Sequence, residues 1–474
     1  MSSPRIPLLL PALLCAALAL PSPISAQMGK DPAAKQLERE ILKELIEINT
    51  SDSAGGTPLA AKALADRLIA AGLPAVDVQV VGYSPRYASL VARYRGSASG
   101  KKPILLMAHL DVVDARKEDW TTDPYQFVEK DGWYYGRGTS DVKDGAAMLV
   151  ANFIRYKKEG FVPDRDLIIV LTADEETSGQ SIEWLVHEHR DLVDADFALN
   201  TDGGGGDYLH GVPIRFNVQG AEKVYQSFNL EVHNKGGHSS RPVPDNAIYH
   251  LARGLARLGD YQFPVRLNEV TRGFFEKGGA AESKAVAADM RLVSKTGDAL
   301  AAKRLSAISP YYNSLLHTTC VPTRLFAGHA DNALPQLARA TVNCRMEPDD
   351  PVDSVEARLI KAVADTAIHF SRINTARPSP PSPLRKDLMG PIETLAHKYW
   401  PKVPIVPEMS TGATDGLTTR NAGIPTYGVA AVFDDMNDSR AHGRDERVGV
   451  KEYHMAAEYW YELAKQLSTA RVTP

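Results

Sequence analysis

Short apolar runs separated by helical segments constrain the fold of this chain more than any other feature of its sequence. Four runs, at residues 104–108, 167–173, 197–201 and 426–432, have the length and composition of buried strands. Residues 144–158, between the first two runs, have the pattern of a helix. Strands that alternate with helices are typical of a layer in which helices cover a mostly parallel sheet. We therefore predict an α/β fold with a mostly parallel sheet.

Chain length and a change of pattern predict a second domain inserted into the first. At 474 residues the chain is longer than one hydrophobic core usually supports. Between residues 216 and 378 the alternation gives way to scattered strand-like pieces and two helical segments, and a proline-rich stretch follows at 378–383. We predict a main domain in two parts, residues 27–215 and 379–474, with an α+β domain inserted at residues 216–378.

The N-terminus has the pattern of a secretory signal peptide. Arg5 precedes an apolar run at residues 8–20, and small residues then lead to Ala26. Because the run is too short to span a bilayer, we predict a signal peptide at residues 1–26 and no stable membrane insertion after its cleavage. The protein would then be secreted or periplasmic. An uncleaved N-terminal anchor is the alternative.

The net charge argues against nucleic acid as a partner, and the cysteine content leaves open whether the protein forms a disulfide. The formal net charge of −4 provides no basic surface for nucleic acid, so we predict no nucleic-acid partner. Two cysteines, Cys320 and Cys344, remain after removal of the signal peptide. An exported protein can form a disulfide, but two buried thiols are an equal alternative.

Candidate metal ligands follow the predicted strands directly. His109 and Asp111 come after the first strand, Glu175 and Glu176 after the second, and Asp202 after the third. Ligands of open α/β sheets usually bind at the carboxyl ends of the strands. Adjacent carboxylates repel each other unless a positive charge compensates them, and a divalent metal ion does so well. These positions therefore indicate a metal site at one edge of the sheet.

Two further candidates lie in polar loops. Asp141 belongs to the glycine-rich segment 136–145, which lacks the Gly-Lys-Ser/Thr ending of a phosphate-binding loop. An Asp at this position can instead cap the following helix; we assign that role to Asp144 and take Asp141 as a ligand. His442 lies in the polar segment 439–446, where a lone histidine often has no special role.

Together these side chains form a donor set for two metal ions. Oxygen and imidazole donors without thiolates suit two Zn²⁺ ions, with Co²⁺ or Mn²⁺ as alternatives. Five ligands serve two metals only if one of them bridges, which leaves positions free for a shared water. The predicted ligands are His109, Asp141, Glu176, Asp202 and His442.

The order of these motifs resembles metallopeptidase family twenty over nearly the whole chain after residue 26. The family includes glutamate carboxypeptidases, aminoacylases, carnosinase-type dipeptidases and carboxypeptidase S, and the segments around His109 and His442 are most similar to the last of these. The resemblance implies a zinc-hydrolase catalytic domain with an inserted lid and dimerisation domain, and hence a homodimer. The matching elements are His109-x-Asp111, Gly-Arg-Gly-x-x-Asp141, Asp-Glu175-Glu176, Asp202, Gly-Gly-His238 and His442.

The resemblance implies a role for each metal ligand. Asp141 corresponds to the bridging ligand. His109 and Asp202 correspond to the other ligands of one zinc ion, and Glu176 and His442 to those of the second.

The resemblance also implies catalytic and substrate-binding residues. Glu175 corresponds to the general base that activates the bridging water, and Asp111 to the residue that orients the neighbouring histidine ligand. His238 corresponds to the histidine that stabilises the oxyanion, which in dimeric members comes from the partner subunit. The positions that correspond to substrate-contacting groups are Asn332, Arg345 and Gly412.

The activity implied is metal-dependent hydrolysis of an amide bond next to a free carboxylate, by a carboxypeptidase or dipeptidase. Hydrolysis of an N-acyl amino acid is the nearest alternative, because only the acyl group differs. A non-catalytic periplasmic protein that binds metal or peptide belongs to another class, which the presence of both Glu175 and His238 disfavours. Nucleotide binding near Gly136 is disfavoured because the surrounding carboxylates would repel phosphates.

Overall fold

The structure is a computed structural model that describes residues 31–97 and 100–469. The predicted signal peptide at residues 1–26 lies outside the described residues. Within the described ranges, no helix is both long and apolar enough to cross a membrane.

A ten-stranded sheet forms the centre of the larger domain, as predicted from the alternating pattern. Its middle strands run parallel to one another, which confirms the α/β class. In sheet order the strands are Val78–Ser84, Tyr87–Tyr94, Leu167–Thr172, Ile104–His109, Phe197–Asn200, Thr426–Gly428, Val212–Glu222, Gly205–Leu209 and Phe433–Asp435, and Ile405–Ser410 also pairs with Val212–Glu222.

Helices cover both faces of the parallel strands. Successive strand residues point to opposite faces, so Leu106 packs in one core cluster and Leu105 in another. Burial on both faces explains why these strands are apolar throughout instead of alternating with polar residues. The helices of this domain are Pro32–Glu47, Pro58–Ala70, Lys143–Glu159, Gln180–Glu188, Arg190–Val193, Lys386–Tyr399, Gly416–Asn421 and Val450–Thr469, with single turns at Asp52–Ala54, Ala75–Asp77 and Lys117–Asp119.

A small three-stranded sheet lies beside the large one and brings the C-terminal part of the chain to the N-terminal part. Its middle strand, Trp133–Tyr135, pairs antiparallel with Val128–Lys130 and with Arg447–Gly449. This pairing places the segment before residue 447 next to the segment after residue 135.

The inserted domain, called the lid below, is an antiparallel four-stranded sheet with two helices packed on one face. Cys320 and Cys344 lie directly opposite each other on neighbouring strands and form a disulfide. The strands in sheet order are Thr319–Ala327, Leu337–Met346, Val224–His233 and His369–Arg372; the helices are Ala247–Asp260 and Val352–Val363; and a short hairpin joins Gly237–His238 with Ala333–Leu334.

The insertion does not begin where the change of sequence pattern placed it. Strand Val212–Glu222 pairs within the large sheet, so residue 216 lies inside a strand of the main domain. The first residue of the lid sheet is Val224.

Part of the inserted sequence also returns to the main domain. Phe274 and Met290 pack in one cluster with Val406 and Met409 of the large sheet. These contacts join residues more than 100 positions apart, so a local pattern does not reveal them. The helices involved are Glu269–Lys277, Lys284–Thr296, Ala299–Ile308 and Pro310–Leu316, with a 3-10 turn at Gly278–Ala281; they are called the inner helices below.

Candidate metal centre

The parallel strands bring most of the predicted ligands to one edge of the sheet. His109 is the last residue of its strand, Glu175 and Glu176 follow strand Leu167–Thr172, and Asp202 follows strand Phe197–Asn200. Since neighbouring parallel strands end at the same edge, these side chains converge there.

Asp141 lies between the two predicted histidine ligands. Its Oδ1 is 3.1 Å from His109 Nε2, and its Oδ2 is 2.9 Å from His442 Nε2. His442 Nε2 is also 2.8 Å from Glu176 Oε1. A carboxylate whose two oxygens face different histidines has the arrangement of a ligand that bridges two metal ions.

A second group of side chains that are close enough to share a metal ion also includes His109. The ligand atoms of His109, Glu175 and Asp202 all lie within 4.8 Å of one another. Two ligand atoms on one tetrahedral zinc ion are separated by about 3.3 Å, because zinc bonds to nitrogen and oxygen are roughly 2.0–2.2 Å long. The spacing and the oxygen-and-nitrogen chemistry of these side chains therefore fit divalent metal ions.

The crowding of carboxylates around His109 and His442 is also consistent with a bound cation. Burial, together with the neighbouring charge of Asp202, raises the pKa of Glu175 well above its usual range. Burial raises the pKa of Asp202 to about 8. For His442, hydrogen bonds with Asp141 and then Glu176 raise the pKa to about 10. Each shift reflects the cost of several negative charges in one partly desolvated place, which a divalent cation offsets.

Asp111 contacts the His109 ring mainly through its backbone carbonyl. Nδ1 of His109 is 2.9 Å from the backbone oxygen of Asp111 and 3.5 Å from its carboxylate. The Asp111 carboxylate accepts backbone hydrogen bonds from Glu175 and Glu176, at 3.2 and 2.9 Å. Asp111 therefore holds the ring with its carbonyl, which leaves Nε2 for a metal, and holds the acidic turn with its side chain.

Glu446 is a supporting residue to which sequence reasoning gave no role. Its side chain is fully buried and accepts backbone N–H groups of Gly138, Ser140 and Asp141 at 2.9–3.2 Å. Arg137 Nη1 donates to the other carboxylate oxygen at 2.6 Å. Glu446 thus positions the backbone that carries the bridging carboxylate. An acidic residue four positions after His442 was the only sequence signal for it.

Two more buried carboxylates, those of Asp174 and Asp415, support segments next to the site. Asp174 accepts hydrogen bonds from the Tyr83 hydroxyl and the Ser181 amide at 2.8 and 2.9 Å, so it shapes the turn that presents the next two glutamates. Asp415 accepts the Thr172 hydroxyl at 2.5 Å, and burial raises its pKa to about 7. Asp415 was not among the site residues predicted from the sequence.

Asp144 does not cap the helix, which corrects the role assigned to it from sequence. The N-cap of helix Lys143–Glu159 is Val142, without a side-chain cap. Asp144 lies in the first turn instead and is 3% exposed.

The predicted substrate-contacting residues of the lid are not brought into the metal cluster. His238 is exposed, and its Nδ1 accepts the Ser240 hydroxyl at 2.8 Å within its own loop. The Asn332 carbonyl accepts the Ser239 amide at 3.0 Å, so Asn332 and His238 are neighbours at the lid hairpin. Arg345 stacks over the Tyr225 ring at 4.8 Å and forms no ion pair with any carboxylate of the described chain.

Gly412 lies in the loop after strand Ile405–Ser410 of the main domain. Its amide donates to the Ser410 hydroxyl at 3.0 Å. The Gly412 N–H is therefore already used, and a substrate carboxylate at this loop would need another donor.

Comparison with known proteins matches most of the chain to one family. A model of peptidase family M20/M25/M40 matches residues 105–466. The chain is 28% identical over 394 residues to N-fatty-acyl-amino acid synthase/hydrolase PM20D1 of Xenopus tropicalis, a match that covers 81% of this chain and 76% of that protein. It is also 28% identical over 393 residues to the probable carboxypeptidase S-like 2 of Dictyostelium discoideum, covering 80% and 74%.

Solved structures share the fold at lower identity. An M20 family metallo-carboxypeptidase of Sulfolobus solfataricus superposes with a TM-score of 0.67 at 18% identity, covering 91% of this chain and 99% of that one. Human carnosine dipeptidase 1 superposes with a TM-score of 0.61 at 16% identity, covering 92% and 97%. At these identities the likeness establishes the architecture alone.

Proposed function

The chain belongs to peptidase family M20/M25/M40, a family of hydrolases, and we propose that it is a di-zinc enzyme that hydrolyses an amide bond next to a free carboxylate. The observation that carries this proposal is the position of Asp141 between His109 and His442, with Oε2 of Glu175 4.0 Å from His109 Nε2. His109, Asp141 and Asp202 would hold one ion, and Asp141, Glu176 and His442 the other.

Glu175 is the group best placed to move protons. When bound, the two metal ions would lower the pKa of a water and polarise the scissile carbonyl. Glu175 accepts the proton of the attacking water and delivers it to the nitrogen of the leaving amine, as general acid–base catalysis requires. Its side chain is 14% exposed, so it is shielded from bulk water yet open to the site.

The lid would supply the remaining substrate contacts. Arg345 is half-buried and has no carboxylate partner within the described chain, which suits capture of a substrate carboxylate. We propose that His238 supports the developing oxyanion after lid closure or from a partner subunit, since it is exposed here. Asn332, next to it on the hairpin, would contact the same substrate.

We further propose a homodimer formed through the lid. Strand Thr319–Ala327 is an edge strand, and Val321, Leu325 and Phe326 on it are 54%, 69% and 63% exposed. An exposed apolar edge strand is a template for pairing with a second copy. Light scattering of wild type and Leu325→Asp tests this: a dimer that the substitution dissociates supports the proposal, and a wild-type monomer contradicts it.

Export from the cytosol is also proposed. The N-terminal pattern at residues 1–26 motivates it, and the Cys320–Cys344 disulfide supports an oxidising compartment. Mass spectrometry of the mature N-terminus is the test, with cleavage after Ala26 expected and an intact N-terminus in the purified protein against it.

Hydrolysis of N-acyl amino acids is a second candidate function. It is favoured by the similarity to proteins described as N-fatty-acyl-amino acid synthase/hydrolase, at 28% and 29% identity. The chemistry at the metal centre is the same, so the acyl group alone distinguishes the two. A panel of dipeptides beside N-acyl amino acids, with and without an amidated carboxylate, separates them and tests the need for the carboxylate.

Substitution of the base tests the mechanism. We expect Glu175→Gln to lower kcat by roughly 10²–10⁴ because it removes the proton acceptor and keeps the shape. Metal content, measured by mass spectrometry, should stay at two ions per chain. Glu188→Gln, an exposed glutamate at a helix end, is the control and should behave as wild type. Undiminished turnover in Glu175→Gln with the metal retained would refute the assignment.

A further inference from the structure

A chamber of about 660 Å³ opens beside the proposed metal ligands. Asp141 and Asp202 form part of its wall, so it is continuous with the metal centre. Tyr311 and Tyr312 of the inner helices form another part, and Val432 of the main domain a third. A space of this size accommodates a small-molecule ligand.

The walls of this chamber carry an excess of negative charge beyond the metal ligands. The only basic side chain among the described residues of the wall is Arg215, which pairs with Asp207 and stacks over the ring of Tyr311 at 5.8 Å. Its charge is therefore already neutralised. The carboxylates of the wall, apart from the proposed ligands, are Asp144, Asp207, Glu408, Asp434 and Asp435.

Two of these carboxylates have unused bonding capacity. Asp144 is 3% exposed, lines the chamber, and its Oδ1 has no hydrogen-bond partner in the described chain. Asp434 also lines the chamber; its backbone lies in a strand paired with Gly205–Leu209, but its carboxylate forms no hydrogen bond or ion pair with any described residue. The two lie close enough for their charges to repel, and burial raises the pKa of Asp434 to about 6. A buried carboxylate without a partner is costly unless a cation approaches it.

A purely structural role does not account for both groups. The positive end of a helix dipole favours an acidic residue in the first turn, where Asp144 lies. Asp434 is on a strand, Phe433–Asp435, and has no helix end to stabilise. Both carboxylates line the same cavity, and a cationic ligand that contacts both of them explains this arrangement better.

We propose that this chamber receives the acyl-side residue of the substrate and selects one that carries a positive charge, such as an amine or guanidine on a short aliphatic chain. The proposal rests on the proposed amide hydrolysis. Asp144 and Asp434 would accept hydrogen bonds from the cation, while Tyr311 and Val432 pack against its methylene groups. An uncharged fatty chain would meet unpaired carboxylates here, and an acidic acyl group would be repelled.

The position of Arg345 assigns the chamber to the acyl side. Arg345, proposed to hold the substrate carboxylate, lies on the lid sheet, whereas the described wall of the chamber comes from the main domain and the inner helices. The carboxylate end and the acyl end of one substrate would therefore be held by different parts of the molecule.

Three substrates that differ only at the end of the acyl chain test the proposal. These are 6-aminohexanoyl, heptanoyl and 5-carboxypentanoyl amides of the amino acid that the wild-type enzyme prefers as leaving group. We expect kcat/KM for the amine to exceed that for the methyl compound by roughly tenfold or more, with the carboxylate lowest. Equal values for the three, or a preference for the methyl compound, would overturn the proposal while leaving amide hydrolysis intact.

Substitutions of the two aspartates test whether they cause the preference for the amine. Asp144→Asn and Asp434→Asn should each reduce the ratio of kcat/KM for the amine to kcat/KM for the methyl compound by roughly tenfold. Asp66→Asn, an exposed aspartate on helix Pro58–Ala70, is the control and should keep the wild-type preference. An unchanged preference in both chamber variants would contradict the assignment of these two residues.

Binding measured without turnover keeps the two proposals distinguishable. Calorimetry on the Glu175→Gln variant should show tighter binding of the aminohexanoyl compound than of the heptanoyl compound. If wild type hydrolyses no amide but this difference in binding persists, the proposed function fails and the cationic chamber stands. A third metal ion per chain that Asp144→Asn loses would instead show that the chamber holds a metal, which overturns the proposal.

Discussion

Replacing Glu446 by glutamine tests whether the bridging carboxylate depends on a buried support outside the ligand set. Glu446 is fully buried and receives three backbone amides of residues 138–141 as well as Arg137. Glutamine keeps the size of the side chain but removes its charge. Arg137, itself 3% exposed, would then be a buried cation without its carboxylate.

The magnitude follows from the type of contact. Breaking a buried ion pair by removing one partner costs about 3–5 kcal/mol. The amide oxygen of glutamine retains part of the backbone hydrogen bonding, so the ion pair is the main loss. We expect Glu446→Gln to lower the free energy of unfolding by about 3–5 kcal/mol. Because outer supports of metal ligands typically affect affinity by about 10–100-fold, zinc affinity should fall by that factor.

Urea unfolding and zinc competition with a chelator measure the two effects. Glu458→Gln is the matched control, since Glu458 pairs with Arg155 at 2.9 Å but its side chain is 23% exposed. We expect this more solvated pair to contribute about 1 kcal/mol or less. The reasoning is refuted if Glu446→Gln unfolds within about 1 kcal/mol of wild type and binds zinc with unchanged affinity.

Two further predictions concern packing and cross-linking. A Cβ at Gly145 would lie 2.1 Å from Thr201 Oγ1, so Gly145→Ala should lower the free energy of unfolding by about 1–3 kcal/mol and weaken zinc binding at the adjacent strand end. Gly259→Ala, where a Cβ meets nothing within 4 Å, is the control and should be neutral or stabilising by up to about 1 kcal/mol in the same urea unfolding experiment. The disulfide of Cys320 and Cys344 joins residues 24 positions apart, so replacing both by serine should cost about 3–4 kcal/mol of lid stability, measured by hydrogen exchange. A loss below about 1 kcal/mol would contradict this estimate.

Local sequence patterns were sufficient to predict the central sheet and to propose most of the metal ligands. A run such as residues 104–108 is apolar throughout because the strand is buried on both faces, and this burial is visible in composition alone. Three of the proposed ligands, His109, Glu176 and Asp202, could be found because they lie at or just after strand ends. Both features depend on residues adjacent in the chain.

The residues that support the proposed metal ligands could not be identified from local sequence patterns. Glu446 reaches the amide of Asp141 across 305 residues, and the sequence marks it no differently from any other acidic residue of its loop. Likewise, Asp144 is of a residue type that often caps helices. Only the residues that pack around it in the folded chain show that it lines a chamber.

By itself, therefore, the sequence determined an α/β fold, and it predicted an inserted domain and a set of oxygen and imidazole donors for divalent metals. The tertiary structure decided which donors face one another, how Glu446 holds Asp141, and that the inner helices wall a negatively charged chamber. The physical reason is the separation along the chain between the residues that form each feature. Strand burial and strand-end ligands are encoded within a few residues, whereas ion pairs, cavities and core contacts join segments hundreds of positions apart.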